Sequence, residues 1–164
     1  MSPALRLNWR FFFASLSIWL LAIAMIKIAS PAPDYSTNLP GSCPLDSQNC
    51  AGFGIWGHRT NHPEPVPYSG SIEDAISTAM DWAIKLDRAT ILHSNDTNIH
   101  VVDTSLLLRF DDDVFIHVEC LDGTTLVHAR SSSRIGVSDL NVNPNRLDTL
   151  VAHLESTKSD SSGC

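Results

Sequence analysis

The chain has 164 residues and a formal charge of −7, from 11 lysines and arginines against 18 aspartates and glutamates. This length suits one modest domain, and the acidic balance argues against a nucleic-acid-binding protein. Arg6, Arg10 and Lys27 lie in an acid-free stretch of the first 30 residues, so the remainder has 8 bases against 18 acids. The hydrophobic content of 43% is typical of a folded protein. The sequence contains no strong catalytic motif.

Residues 11–26 form an uncharged apolar run that follows a basic N-terminal stretch. The segment from Trp9 to Ala29 supplies the roughly 20 residues that cross a membrane, if Lys27 snorkels to the interface. We predict a retained anchor over residues 1–29, because no well-placed cleavage site follows the run. A cleaved signal with secretion is the alternative, and a core helix is a third reading. The basic N-terminus should stay cytoplasmic, with the domain periplasmic or otherwise extracytoplasmic.

The four cysteines point to an oxidising compartment. Six residues separate Cys43 from Cys50, so we predict a disulfide that closes a short loop. Half of a zinc site is the alternative for this pair, although no second pair stands at zinc spacing. We expect Cys120 to be a buried thiol, and Cys164 to be free at the end of a flexible serine-rich tail over residues 157–164.

Two irregular stretches precede the first helix of the domain. Residues 30–42 are rich in proline, serine, asparagine and glycine, which predicts a linker. Residues 51–70 contain four glycines and three prolines, which predicts an ordered loop around the core. A helix should then begin after Ser71 as N-cap, with Asp74 three residues later. Its apolar residues recur at helical spacing, so one face should pack on a sheet.

Four strands are predicted after this helix, over residues 90–94, 99–110, 114–121 and 124–131. The dipeptide Asp122-Gly123 is the strongest hairpin signal and fixes a register. That register places Leu121 opposite Thr124, Val118 opposite Val127 and Ile116 opposite Ala129. We predict a three-residue loop at residues 111–113 before the third strand. The resulting core face comprises Val102, Val114, Ile116, Val118 and Cys120.

The last helix is predicted to begin at Asn143 as N-cap, with Pro144 at the first helical position. Its apolar residues, again at helical spacing, are Leu147, Leu150, Val151 and Leu154. The order of helix, about four antiparallel strands and helix defines an α+β domain over residues 43–156. Its antiparallel sheet should be covered on one face by two helices.

The three adjacent carboxylates of Asp111, Asp112 and Asp113 repel one another, so positive charge should neutralise them. The predicted register sets Ser132 opposite Asp113 and Arg134 near Asp111. Arg134, Arg130, Arg109 and a bound cation are the candidate neutralising groups.

Arg146 lies in the first turn of the last helix, where the helix dipole disfavours a cation. We expect Asp139 to be its partner. The preferred interpretation of this whole polar cluster is a structural network that fixes the segment after the last strand against the sheet. A functional ligand or ion site built from the same residues, and a merely solvated surface, are the alternatives.

The predicted register also places His117 opposite His128 on the face away from the core, near Glu119. Such a pair can hold a metal, with Glu119 or His100 as a third ligand, or can titrate near neutrality. We favour solvent-exposed histidines, and therefore predict no metal site and no cofactor. Serines 131–133 stand near histidines and aspartates, but without a Gly-x-Ser-x-Gly elbow they do not indicate hydrolysis.

Three segments resemble the signature blocks of domain-of-unknown-function family 1499: CPLDSQNC at 43–50, FDDDVF at 110–115 and RSSSRIGVSDLNVNPNR at 130–146. The resemblance covers roughly residues 40–155. It implies an N-terminal hydrophobic segment, a central helix and a last helix, and no activity. The family positions that it carries over are Asp112, Asp113, Arg130, Ser131, Ser133, Arg134, Gly136, Ser138, Asp139, Asn143 and Arg146.

The chain departs from the family's pattern at three places. Asn141 stands where glycine is usual, and asparagine is the next best residue for a left-handed backbone. Pro144 and Asn145 replace basic residues, which argues against an anion-binding face. Residues 51–53 replace a Val-Ser-Ser run.

Together these features predict an exported, N-terminally anchored, non-enzymatic envelope module. Its expected partners are the membrane, through residues 9–29, and an apolar or mixed ligand or an envelope protein beneath the helices. The alternatives are a metal protein or enzyme that uses Asp111–Asp113 with Arg130 and Arg134, or the pair of His117 and His128. A purely structural role through the membrane helix is a third hypothesis.

Overall fold

A computed structural model describes residues 3–35, 38–157 and 163–164, and the side chains from residue 8 onward within these ranges. Over this part of the chain the fold is α+β, as the sequence predicts. The elements in chain order are α1 (Pro3–Ala29), β1 (Cys50–Phe53), a 3₁₀ turn (Gly54–Trp56), β2 (Val66–Tyr68), α2 (Ile72–Ile84), β3 (Ala89–Ser94), β4 (Asn98–Thr104), β5 (Asp111–Leu121), β6 (Thr124–Ser133) and α3 (Val142–Ser156).

The N-terminal helix α1 is long and apolar enough to cross a membrane over Asn8–Ala29, and no other helix in the described part of the chain is. At about 1.5 Å per residue these 22 residues span about 33 Å, close to the thickness of a hydrocarbon core. Its large side chains, including Trp9 and Phe11, are exposed. A membrane anchor and an export signal share these properties.

The sheet is antiparallel, with six strands over the described residues in the order β1-β6-β5-β4-β3, and β2 also pairs with β6. Residues 51–70, predicted as an ordered loop, therefore contain most of β1, the 3₁₀ turn and β2. β1 and β2 follow one another along the same edge of β6, opposite residues 129–132 and 125–127. Strands this short, interrupted by glycine and proline, have weak local signals, and their pairing with β6 defines them.

The hairpin between β5 and β6 has the predicted register. Val118 lies opposite Val127 and Ile116 opposite Ala129. Asp122 and Gly123 both have positive φ angles, of 52° and 78°, as a tight two-residue hairpin turn requires. Because side chains alternate along a strand, this turn sets the face of every residue in the hairpin.

The predicted connection between β4 and β5 was wrong. β4 ends at Thr104, which lies opposite Asp111, so the loop comprises residues 105–110 and the three aspartates belong to β5. Val102 consequently pairs with Asp113 on the face away from the core, and Ile99 and Val101 occupy the core face instead. The apolar run at 106–108 has the composition of a strand but forms an exposed turn.

Helices α2 and α3 pack on one face of the sheet, as predicted. The core between them and the sheet includes Ala79 and Trp82 of α2, Leu147 and Leu150 of α3, and Ile116 of β5. Ser71 and Asp74 form a complete capping box at the start of α2.

The predicted start of α3 was two residues late. Asn141 is the N-cap, with a left-handed φ of 65°. The carboxylate of Asp139 accepts hydrogen bonds from the backbone N–H groups of Asn141 (3.0 Å) and Asn143 (3.2 Å). It thereby satisfies free amides at the start of the helix, and the side chain of Asn143 is fully buried.

An irregular segment covers part of the other face of the sheet. The ring of Tyr35 meets those of His100 and Phe115 at 5.0 and 5.5 Å between centroids. Trp56 packs on Phe115 and donates a hydrogen bond from Nε1 to the carbonyl of Pro40 at 2.9 Å. The segment predicted as a linker thus contacts the domain at Tyr35 and Pro40.

The structure contains a disulfide between Cys43 and Cys50, with the Cα atoms 5.7 Å apart. It also joins Cys120 to Cys164, which corrects the expectation of a buried thiol and a free terminal one. Cys120 lies on the core side by register but near the hairpin end of β5, beyond the helices, where it is exposed. That position leaves its sulfur accessible to the C-terminal residue.

Candidate functional site

The ends of β5 and β6 opposite their hairpin turn bring the acidic run of β5 beside Arg134. The guanidinium of Arg134 donates two hydrogen bonds of 2.8 Å to the carboxylate of Asp113. The two side chains are only 9% and 3% exposed. Burial opposes ionisation of Asp113, but hydrogen bonds from Arg134 and His100 outweigh it and lower its pKa below the ordinary 3.8. The bond to Asp113 likewise raises the pKa of Arg134.

His100 of β4 completes the surroundings of Asp113. Its Nε2 lies 2.8 Å from Oδ1 of the carboxylate, and the imidazole is buried beneath Tyr35. The His100 side chain approaches Asp113 from the neighbouring strand, because His100 lies diagonally across from it. Asp113 is therefore enclosed by two partners.

Asp111 is bound by α1 as well as by the domain. Lys27 donates to its Oδ1 at 2.6 Å, Thr104 donates at 2.8 Å, and Arg134 approaches at 3.4 Å. Arg134 also donates to the backbone carbonyl of Ser30, just after α1, at 3.5 Å. These contacts attach the C-terminal end of α1 to the acidic end of β5.

Asp112 faces the core side and pairs with Arg146 of α3. Nη2 of Arg146 lies 2.9 Å from Asp112 and 2.8 Å from Asp103, while Nη1 donates to Ser131 and Asn143. The expected pairing of Arg146 with Asp139 was wrong. The Arg146 side chain extends under β4 and β5, where two carboxylates and two polar oxygens surround it.

Asp139 pairs instead with Arg59, whose Nη2 donates to its carboxylate at 3.0 Å. Burial raises the pKa of Asp139, but the hydrogen bonds from Arg59 and from the start of α3 give a net lowering from 3.8. Asp139 thus holds three parts of the chain together: the loop at Arg59, the segment after β6 and the first turn of α3.

The remaining predicted residues separate into two groups. Ser131 donates to Oδ1 of Asn143 at 2.6 Å, and the Asn143 amide donates to Ser133 and to the carbonyl of Asn49. Ser131, Ser133 and Asn143 therefore lie inside the network. Arg130 donates to Ser132 at 2.8 Å, and within the described ranges it forms no ion pair with the aspartates. Arg109 lies in the exposed 105–110 loop and likewise has no ion pair among the described residues.

The histidine pair stacks with 5.8 Å between ring centroids, as the register predicts. His128 is only 2% exposed, which corrects the expectation of a solvent-exposed pair, because Ile55 and Gly54 cover it. Its Nδ1 accepts from the N–H of Ile55 at 3.1 Å, and its Nε2 lies 3.0 Å from Glu119. Burial, followed by the electrostatic effect of the neighbouring His128, lowers the pKa of His117 below 6.5.

No group of three or more His, Cys, Asp or Glu side chains in the described residues is arranged to hold a metal ion. His128 already uses both of its ring nitrogens, so a metal would have to displace Ile55 or Glu119. The aspartates are similarly engaged by cations of the chain itself.

An open cavity of about 320 Å³ lies beside the acidic cluster, between the 105–110 loop and the segment that leads into α3. Its apolar walls include Phe110, Ile135, Leu140 and Val142, and polar groups such as Ser133 and Asp112 also line it. The lining of the cavity is therefore mixed in polarity.

Sequence reasoning missed several members of the network. It placed Lys27 only at the membrane interface, and it gave Arg59, Asp103 and Thr104 no role. Arg59 lies in an irregular stretch and pairs with a residue 80 positions away, so no local pattern could reveal it. Alternation in β4 places Asp103 on one face, but finding its partner requires the orientation of α3.

The fold and the charge network define a small α+β domain with an N-terminal apolar helix and an internally paired acidic cluster. Residues 36–154 match the family model described as "Protein of unknown function (DUF1499)". The chain belongs to this family. No curated protein and no solved structure matches the chain.

Proposed function

We propose that this protein is an exported, membrane-anchored and non-enzymatic envelope module that binds an apolar-chain ligand at its membrane-proximal end. This end consists of the 105–110 loop, residues 135–142 and the cavity between them. The observation that carries the proposal is the contact of Lys27, at the end of α1, with Asp111. This contact places the open cavity beside α1, the proposed anchor, where membrane lipids are available.

The charge network supports a scaffolding role for the aspartates rather than a catalytic one. A general acid or base works best with a pKa near the operating pH. The pKa of Asp113 is lowered instead, so its carboxylate stays ionised at neutral pH. Asp111, Asp112 and Asp113 each have a cationic partner within the chain.

The apolar helix and the disulfides support the proposed compartment. Basic residues before α1 favour a cytoplasmic N-terminus, so the domain lies on the opposite side of the membrane. Disulfides persist in such oxidising compartments. The ligand is a membrane-derived amphipathic molecule, and a protein partner at the same surface is the competing outcome.

Native mass spectrometry of the full chain in detergent tests ligand binding in the cavity. Val142→Trp fills the cavity, whereas Val137→Trp is a matched control at an exposed site that does not line it. The wild type and Val137→Trp should retain one lipid that Val142→Trp loses, with all three unfolding at similar temperatures. Equal lipid retention by both variants would contradict the proposal, because lipids around α1 alone would explain it.

A further inference from the structure

The loop between β4 and β5 exposes three consecutive leucines. Leu106, Leu107 and Leu108 are 67%, 71% and 39% exposed, in a turn that ends at Arg109 and Phe110. Three adjacent exposed leucines are unfavourable in water, and none of them contributes to the hydrophobic core. We call residues 105–110 the leucine loop.

The leucine loop runs beside α1. Trp19 donates a hydrogen bond from Nε1 to the backbone carbonyl of Leu107 at 3.0 Å, and Lys27 binds Asp111 where the loop ends. Trp19 and Lys27 are eight positions apart in α1, a distance of about 12 Å along the helix axis. The hydrocarbon core is about 30 Å thick, so a membrane-spanning α1 brings the loop to the depth of the outer leaflet.

Hydrogen bonds satisfy four backbone polar groups of the loop, which would be costly to leave unpaired near lipid. Ser105 donates its backbone N–H to the carbonyl of Phe110 at 2.8 Å, and its hydroxyl accepts from the N–H of Phe110 at 2.9 Å. Trp19 supplies a donor to the carbonyl of Leu107. Irregular backbone does not lie free in the hydrocarbon region, so the backbone of the loop stays at the interface and its leucine side chains reach the acyl chains.

Other residues at the membrane-proximal end agree with this position. Leu140, which lines the cavity together with Phe110 of the leucine loop, is also largely exposed. Arg109 is exposed and follows the leucines directly. A long cationic side chain at this place can reach the phosphate groups while the leucines lie deeper.

We infer that the leucine loop inserts into the outer leaflet beside α1, as a second membrane contact that fixes the orientation of the domain. Its partner is the acyl-chain region of the bilayer. The inference rests on the proposed function in one respect, that α1 remains in the membrane. The loop then holds the mouth of the cavity against the lipid.

Fluorescence quenching of the full chain in phosphatidylcholine and phosphatidylglycerol vesicles tests the insertion. A nitrobenzoxadiazole probe is attached to Leu107→Cys, a change that leaves the backbone carbonyl bound by Trp19 in place. Asp96→Cys is the control, because this exposed residue lies in the β3–β4 hairpin at the opposite end of β4. The native cysteines are paired, so the new thiol takes the label.

The probe at 107 should emit at shorter wavelength than that at 96, be quenched by nitroxide on the acyl chains, and be several-fold less accessible to aqueous iodide. Equal iodide quenching at both positions, with the protein still in the vesicle pellet after alkaline carbonate, would overturn this inference alone. Release of the protein by carbonate would overturn both the inference and the retained anchor.

Discussion

The carboxylate of Asp113 and the guanidinium of Arg134 form a two-pronged, almost fully buried ion pair with both hydrogen bonds at 2.8 Å. This pair joins β5 to the segment that follows β6. Arg134 also reaches Asp111, which Lys27 binds from α1. One arginine therefore connects the sheet with the end of α1.

We expect Arg134→Ala to lower the free energy of unfolding by about 3–5 kcal/mol, because it leaves the buried charge of Asp113 without its main partner. Arg134→Lys should recover part of this loss, since lysine keeps the charge but not the planar fork. Urea unfolding followed by circular dichroism measures each value. Arg130→Ala is the control and should cost about 1 kcal/mol, because Arg130 bonds only to Ser132 among the described residues. Equal losses for the two alanine variants would contradict the role of Arg134 as the main partner of Asp113.

Acid should destabilise the domain in two separate steps. The pKa of His117 in the folded state is below 6.5, so the unfolded chain protonates first and stability is lost as the pH falls below that value. The pKa values of Asp113 and Asp139 are below 3.8 in the folded state. Their contribution to the free energy of unfolding is complete above the pKa that these carboxyls have in the unfolded chain. It is lost as the pH falls through their pKa values in the folded state. Urea unfolding across this pH range measures both steps.

Two single variants distinguish these steps. His117→Gln should flatten the profile between about pH 7 and about pH 5 and retain the loss below about pH 4. Asp113→Asn should weaken the more acidic step and leave the upper one in place, from a lower starting stability. A wild-type profile that is flat down to about pH 4 would contradict the role of His117.

The elements that could be predicted from the sequence are those governed by local rules of turn, strand and helix formation. The Asp122-Gly123 turn and the alternation of β5 and β6 determined the register, and the capping box located α2. The leucine loop violated the same rules, because a strand-like apolar run there forms an exposed turn. The aspartates at 111–113 resembled a loop because aspartate is depleted in strands, and the cations that pair with them lie far away in the sequence.

The charge network could not be paired from the sequence, because its contacts span long distances along the chain. Lys27 meets Asp111 across 84 residues, and Arg146 meets Asp112 across 34. A choice among several arginines depends on where α1 and α3 pack, which periodicity does not specify. The position of Arg134 near the aspartates could be predicted because Arg134 follows β6, whose register the hairpin turn determines.

Gly54 should tolerate substitution worse than Gly123, although the backbone is left-handed at both positions. Their φ angles are 67° and 78°, but a Cβ on Gly54 would collide with the ring of His128, whereas one on Gly123 meets nothing. Gly54→Ala should therefore cost about 2–5 kcal/mol, and Gly123→Ala about 1–2 kcal/mol, in the free energy of unfolding. Urea unfolding of both variants makes the comparison, and similar losses would show that His128 moves aside freely.

The two disulfides can be distinguished from the other possible cysteine pairings. Four cysteines allow three pairings, and digestion of the unreduced protein should yield only Cys43 linked to Cys50 and Cys120 linked to Cys164. The two bridges join cysteines that are 7 and 44 residues apart. By restricting the unfolded chain they should stabilise the fold by about 2 and about 4 kcal/mol. Cys164→Ser should thus destabilise the protein more than a surface change away from the disulfides, such as Asp96→Ser. Recovery of Cys120 as a free thiol would instead contradict its bridge to Cys164, and reduced cysteines in the isolated protein would contradict export.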